Sequence, residues 1–253
     1  MKNTLMSLSV SLFFCVNAFA SVFEDIHSQI NDLSVEEGRE LVKENKKSIS
    51  ESERYYFEGT LCGRNREFKD AVKLLKKATD LEPDRSIFWS KLGVAYANRG
   101  SEVMMLRKPG VYGNALDSFE KSVELDPENV EGLKGLIQYK LSAPPIAGGD
   151  KQKGLELAEQ LKDLSFEDGW ILTAFAYQRM EQFEKALECY QHVVDEKGDE
   201  GKAFIYVRMG KIHEELERYE LAEKNYRHAL VINPDLKWAQ NSLDSLLQKI
   251  EES

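Results

Sequence analysis

The side chains best suited to chemistry are few in this chain. Its four histidines are His27, His192, His213 and His228, and its three cysteines are Cys15, Cys62 and Cys189. No His-Glu-x-x-His, Cys-x-x-Cys, Gly-x-Ser-x-Gly or phosphate-loop pattern places any of them at a catalytic spacing. Cys189 and His192 are three residues apart, which puts both on one face of a helix and would suit two metal ligands. A metal needs further ligands, and the neighbouring Glu188, Asp195 and Glu196 are ordinary in so acidic a chain, so a plain exposed helix face is the competing reading. Gly148-Gly149 ahead of a helix start, with Lys151 and Lys153 nearby, could receive an anion on free amides. Asp150 is placed to occupy those same amides, and the phosphate-loop lysine is missing. The sequence therefore assigns no catalytic residue, no cofactor and no metal, and a protein that is not an enzyme is expected.

Composition says what kind of scaffold must carry these residues. The 253 residues are 42% hydrophobic and 31% charged, with only 6 Pro and 16 Gly, a balance that favours helices over strands. A net charge of −10 argues against nucleic acid, because phosphate binding needs a basic face. Residues 1–20 read as a leader: Lys2 is a minimal basic start, an apolar stretch with Phe13-Phe14 at its heart follows, and Ala18-Phe19-Ala20 is a small-x-small cleavage site. Cleavage after Ala20 and a periplasmic location are expected, with secretion as the alternative. Phe14 before Cys15 is too bulky for a lipid-attachment site, and no second stretch of spanning length follows, so the mature chain is expected to lack a transmembrane segment. Export permits disulfides, but Cys62 and Cys189 lie far apart in sequence, and two free thiols are expected.

An internal period organises the rest. Trp89-x-x-Leu92-Gly93-x-x-Tyr96, then Ala115-x-x-x-Phe119, then Pro127 sets a pattern that recurs upstream as Tyr55, Gly59, Ala71, Leu75, Ala78 and Pro83. Downstream it returns as Trp170, Ala174, Tyr177, Ala186 and Tyr190, and again as Tyr206, Gly210, Ala222, Tyr226, Ala229 and Pro234. A weaker copy between them has Leu133 and Leu136, then Gly154, Ala158 and Leu161. Small residues belong where two antiparallel helices cross, aromatics fill the gaps between pairs, and neighbouring pairs must stack because none can bury its apolar face alone. This pattern resembles the tetratricopeptide repeat, a helix–turn–helix unit of about 34 residues. The resemblance implies an all-α, right-handed superhelical solenoid of antiparallel helix pairs. About five repeats would occupy residues 52–253, closed by a capping helix whose apolar stripe runs from Leu236 through Leu243 to Ile250. Residues 21–51 form an N-terminal helical segment, a possible divergent half-repeat, opened by the capping box Ser34-Val35-Glu36-Glu37.

The period is broken twice. Ala71 to Ala115 spans 44 residues and Ala115 to Gly154 spans 39, against 32 and 36 in the next two intervals. Both insertions fall between the two helices of a repeat, where inserted turns often mark a binding face. The first, around residues 99–114, holds Met104, Met105, Leu106 and Tyr112 and reads as an extension of the repeat's first helix ended by Pro109-Gly110. It would either dock a partner or cover the neighbouring core. The second contains Pro144, Pro145 and Ile146 before Gly148-Gly149-Asp150, and shaping the array is its simplest role.

The resemblance also implies a concave groove lined by the first helix of each pair. Transferring the helical phase puts Tyr56, Thr60, Arg64, Ser90, Val94 and Asn98 there, with Lys134 and Gln138 from the weak copy. Ile171, Phe175, Gln178, Arg179, Phe204, Val207, Lys211 and Glu214 complete it, while His213 replaces the usual inter-repeat aromatic. A groove mixing aromatics, amides and cations would suit a peptide of some acidic character. The Lys and Asn clamp that grips chaperone C-termini in this family is absent, since Tyr56, Thr60, Ser90 and Val94 stand in its places. The expected function is a non-catalytic protein–protein interaction scaffold of the bacterial cell envelope, binding a protein or peptide of unknown identity. A self-assembling structural component and a small-ligand or metal-binding protein are the alternatives.

Overall fold

The computed structural model describes residues 22–103, 108–198 and 200–252. Regular structure among them is helical throughout: α1 (22–29), α2 (Val35–Glu44), α3 (Glu51–Arg64), α4 (Phe68–Leu81), α5 (Ser86–Gly100), α6 (Lys108–Leu125) and α7 (Val130–Ser142). After a 3-10 turn at Pro145–Ala147 come α8 (Lys151–Leu164), α9 (Phe166–Arg179), α10 (Phe183–Lys197), α11 (Ala203–Glu215), α12 (Tyr219–Ile232) and α13 (Lys237–Glu251). The chain falls into two compact units, Met1–Gly135 and Leu136–Ser253. The expected leader and Met104, Met105 and Leu106 lie outside the described residues. No helix among the described residues is long and apolar enough to cross a membrane.

Within each unit consecutive helices pack in pairs, α3 on α4 and α5 on α6 in the first, α9 on α10 and α11 on α12 in the second. Sterics at the crossings explain the pairing. A Cβ on Gly93 would lie 2.6 Å from the Phe119 ring, and one on Gly210 would lie 2.4 Å from the Tyr226 ring, so only glycine lets those helices close. The second-helix small residues Ala71, Ala115, Ala186 and Ala222 are all fully buried. The last helix seats Ala239, Leu243 and Leu246 on the preceding pair, while Ile250 stays 37% exposed.

Local sequence sets the helix ends. Ser34 and Glu37 form the expected capping box before α2, and Ser50 and Glu53 form a second before α3, each Ser accepting from the amide of the Glu that reaches back to it. The turns inside the three uninterrupted repeats share one device. Arg66, Glu181 and Glu217 adopt left-handed φ values of 63°, 61° and 56°. The next amide in each donates back to the carbonyl five residues earlier, Glu67 to Cys62 at 2.8 Å, Gln182 to Tyr177 at 2.9 Å and Arg218 to His213 at 2.8 Å. This is the Schellman closure, made with residues that carry a steric penalty glycine would avoid.

The two inserted repeats solve the turn otherwise. The other second helices begin three residues before their small residue, whereas α6 begins seven before Ala115. Pro109-Gly110 therefore does not end an extended first helix, as the sequence suggests. α5 stops at Gly100, and the Pro-Gly pair lies inside an extra first turn of α6, where a missing amide costs nothing. In the other insertion Gly148 takes φ 85°, and Gly149 is required by crowding: a Cβ there would come within 1.9 Å of the Ala143 carbonyl. The Asp150 carboxylate then accepts from the Lys153 amide at 2.9 Å and occupies the helix start that an anion would otherwise take.

The left-handed turns give a stability prediction. Replacing Glu181 or Glu217 by glycine removes a strain of about 1–2 kcal/mol and restores roughly half of that as chain entropy. Each variant should gain about 0.5–1 kcal/mol, raising the melting temperature by about 1–4 °C, while the alanine variants gain nothing.

Candidate functional site

In the first unit the face expected to receive a ligand is covered by the chain itself. Phe23, Ile26 and Ile30, each 1% exposed, pack from the α1 segment onto α3, and Tyr56 beneath them is fully buried. The Tyr56 ring lies 5.5 Å from Phe23 and stacks on Phe88 at 4.9 Å, and its hydroxyl pairs with His27 Nδ1 at 3.2 Å. Tyr56 is thus a packing residue and not a groove residue. Arg85 lies over the Phe23 ring at 3.9 Å and pairs with Glu53 at 2.8 Å, sealing the same contact. Thr60 and Ser90 turn their hydroxyls back to the carbonyls of Tyr56 and Ile87. Asn98 remains exposed, and Lys134 is half-buried.

Arg64 corrects the sequence reading in an instructive way. Its guanidinium donates to the carbonyls of Ile30 and, at 2.5 Å, of Leu33, tying down the end of the α1 segment. In the second unit Arg179, at the same register of α9, donates through Nε to the Leu141 carbonyl near the end of α7 at 3.2 Å. Both arginines satisfy carbonyls that a helix end leaves open. Sequence register sets them against an acidic ligand, and the backbone is what they hold.

The second unit leaves more of its first-helix face available. Gln138 is exposed, and Phe175 and Lys211 are half-exposed; Gln178 is half-buried, with a buried carbonyl oxygen that has no hydrogen-bond partner among the described residues. Val207 is fully buried, and Glu214 turns away to accept from the Tyr226 hydroxyl at 2.5 Å. A residue outside the expected set organises this face: the Arg208 guanidinium lies 5.4 Å from the Phe175 ring and 5.8 Å from that of Trp238. Its neighbour one turn on is Lys211, and no carboxylate among the described residues pairs with either cation. Register alone hid Arg208, because its phase points between repeats; only the capping helix brings Trp238 to it.

The inserted edge divides in the same manner. The Tyr112 ring packs against Gly100 at the end of α5 and is half-buried there. Pro145 and Ile146 are exposed, Ile146 to 99%, on a turn closed by a hydrogen bond from the Tyr139 hydroxyl to the Ala147 carbonyl at 2.9 Å.

The residues considered for metal chemistry are separated by burial. Cys62 and Cys189 are both free thiols. Burial pushes each up to about 11, helped at Cys62 by a hydrogen bond to the Glu67 carboxylate. A protonated thiol is a poor ligand. His192 instead sets its ring against Trp170 at 4.2 Å. Among the described residues no three His, Cys, Asp or Glu side chains group to hold a metal ion.

Paired helices, small-under-large crossings and a one-repeat register define an α-solenoid of helix–turn–helix repeats. Residues 168–200 and 205–236 match the tetratricopeptide repeat family, and the fold is that of tetratricopeptide solenoids. The chain is similar to the thermophilic tetratricopeptide protein TTC0263 of Thermus thermophilus at 14% identity and a TM-score of 0.63, over 78% of this chain and 99% of that one. It is also similar to pilF of Pseudomonas aeruginosa at 12% identity and 0.61, covering 90% and 97%. Similarity to YrrB, described as a tetratricopeptide protein with an unusual peptide-binding site, is 19% identity and 0.50, covering 81% and 96%. No curated protein matches the chain in sequence.

Two histidines make stability depend on pH. Burial first, then the positive Lys91, holds His27 below its ordinary value, and burial first, then Arg218, does the same at His213. As pH falls the unfolded chain takes up these protons before the folded one, so their contribution is complete above about pH 6.5 and is lost as pH drops through the folded values. The melting temperature should decline between about pH 7 and 5.5, and the His27→Gln/His213→Gln double variant should show a flatter profile over that window.

Proposed function

We propose that the chain is a non-catalytic protein–protein interaction scaffold of the bacterial cell envelope, holding a peptide segment of its partner on the first-helix face of the second unit. The observation that carries this reading is Arg208 set between Phe175 and Trp238, with Lys211 beside it and no carboxylate for either among the described residues. In a chain of net charge −10, two cations among aromatic rings favour a segment that presents a carboxylate next to an apolar side chain. The peptide-binding site described for YrrB supports the reading, as does the tetratricopeptide match over 168–200 and 205–236. The leader pattern of residues 1–20 supports the envelope. Cleavage before Ser21 keeps α1 and its buried Phe23 intact.

Crosslinked capture from envelope extracts tests the proposal with the mature chain, an Arg208→Glu/Lys211→Glu variant and an Ile146→Asp variant. The native chain should retain a partner that the double-charge variant loses by about tenfold or more, and mass spectrometry of the mature chain should find Ser21 at its start. Equal retention by the native and double-charge forms would overturn the assignment of this face. Loss from the Ile146 variant alone would move the binding surface to the inserted turn.

A further inference from the structure

Two successive repeats of the second unit differ at one buried polar place. Tyr226 of α12 and Glu214 of α11 stand twelve residues apart, and the tyrosine hydroxyl donates to the carboxylate at 2.5 Å. Tyr190 of α10 and Gln178 of α9 have the same spacing, and Tyr190 follows the buried Ala186 by four residues as Tyr226 follows Ala222. Here the bond is missing. Tyr190 is fully buried, and neither its hydroxyl nor the buried Gln178 carbonyl oxygen finds a hydrogen-bond partner among the described residues. In the first unit Leu75 and Phe119 follow Ala71 and Ala115 by the same four residues, and they ask for no partner.

A buried hydroxyl left unpaired costs the desolvation of the group with nothing in return. Arg208 lies beside it: burial pushes Tyr190 up to about 12, and the guanidinium pulls the other way without bonding to the hydroxyl. The same guanidinium lies within reach of Phe175 and Trp238 and meets no carboxylate among the described residues. A phenol donates one hydrogen bond and a guanidinium several, so the pair calls for a negatively charged acceptor. Glu214 is such an acceptor for Tyr226 in the next repeat. Glutamine at 178 has nearly the same size and shape, but its neutral amide cannot offset Arg208. Gln178 is only half-buried, and turning its flexible side chain aside gives up no hydrogen bond at its carbonyl oxygen.

We infer that Gln178 is a specificity-determining residue of this face: standing where the next repeat carries Glu214, it leaves a place in which a partner's carboxylate bonds the Tyr190 hydroxyl and the Arg208 guanidinium. The inference rests on the peptide-binding reading of the Phe175–Arg208–Trp238 face and names the two donors that hold the acidic group.

Indole correlation NMR on the mature full chain reads the site, since three tryptophans give few signals and Trp238 borders Arg208. The probe is acetyl-Leu-Asp-Leu-amide, with acetyl-Leu-Asn-Leu-amide as comparison. The aspartate peptide should shift Trp238 saturably while leaving Trp89 and Trp170 in place, and the asparagine peptide should bind at least about tenfold more weakly. Gln178→Glu supplies the carboxylate from within the chain and should cost about tenfold or more in binding with the melting temperature kept. Gln178→Ala leaves the place open and should bind within about twofold of the native chain. Tyr190→Phe should weaken aspartate binding several-fold without loss of stability, whereas Tyr226→Phe strands the Glu214 carboxylate and should lower the melting temperature. The alanine and phenylalanine variants test the site even if the glutamate variant does not fold. Full binding by Gln178→Glu or Tyr190→Phe, or equal losses from Gln178→Ala and Gln178→Glu, would overturn the inference. Arg208→Gln, which should abolish binding, shows separately whether the face itself is right. No saturation of the native chain at millimolar peptide, or equal binding of the two peptides, would overturn both the inference and the reading beneath it.

Discussion

A small residue beneath a large ring at each helix crossing is the contact on which the rest of this structure depends. Where Gly93 meets Phe119 and Gly210 meets Tyr226, the backbones come close enough that the ring is fully or almost fully buried. Each such ring contributes about 1.5–3 kcal/mol by burial, and a methyl group at the glycine would force the pair apart. Everything else is arranged around this closeness. The Schellman turns at Arg66, Glu181 and Glu217 return the chain at the right height, and the pair then presents its first-helix face outward.

What happens on that face differs within each unit. In the first, the α1 segment lays Phe23, Ile26 and Ile30 over Tyr56, and Arg64 locks its end. In the second, the Arg208 guanidinium lies within reach of two aromatic rings and meets no carboxylate among the described residues. The same repeat scaffold therefore serves self-closure in one unit and leaves a charged aromatic surface in the other. A helix pair is indifferent to what covers it, because its stability comes from the crossing.

Sequence and structure agree where the physics is local or repeats. The crossing residues, the Ser34 capping box, the Asp150 cap and the apolar stripe of α13 can all be read from spacing. The disagreements share a cause. Register tells which way Tyr56, Arg64 and Arg179 point, but not that another segment's apolar face or open carbonyls will meet them. Pro109-Gly110 reads as a helix end because proline usually is one, yet a first turn accepts it equally well. Arg208 meets Phe175 and Trp238 only when neighbouring helices are brought together, so its own register could not announce it.

The two thiols carry a last consequence. With burial pushing both up to about 11, Cys62 and Cys189 hold less thiolate at neutral pH than they would in an unfolded chain. In an oxidising compartment the folded chain would exchange disulfides more slowly than an unfolded copy with ordinary thiols, the loss of thiolate being partly offset by the greater nucleophilicity of a more basic sulfur. Oxidation at these two cysteines would then fall more heavily on unfolded copies of the chain than on folded ones.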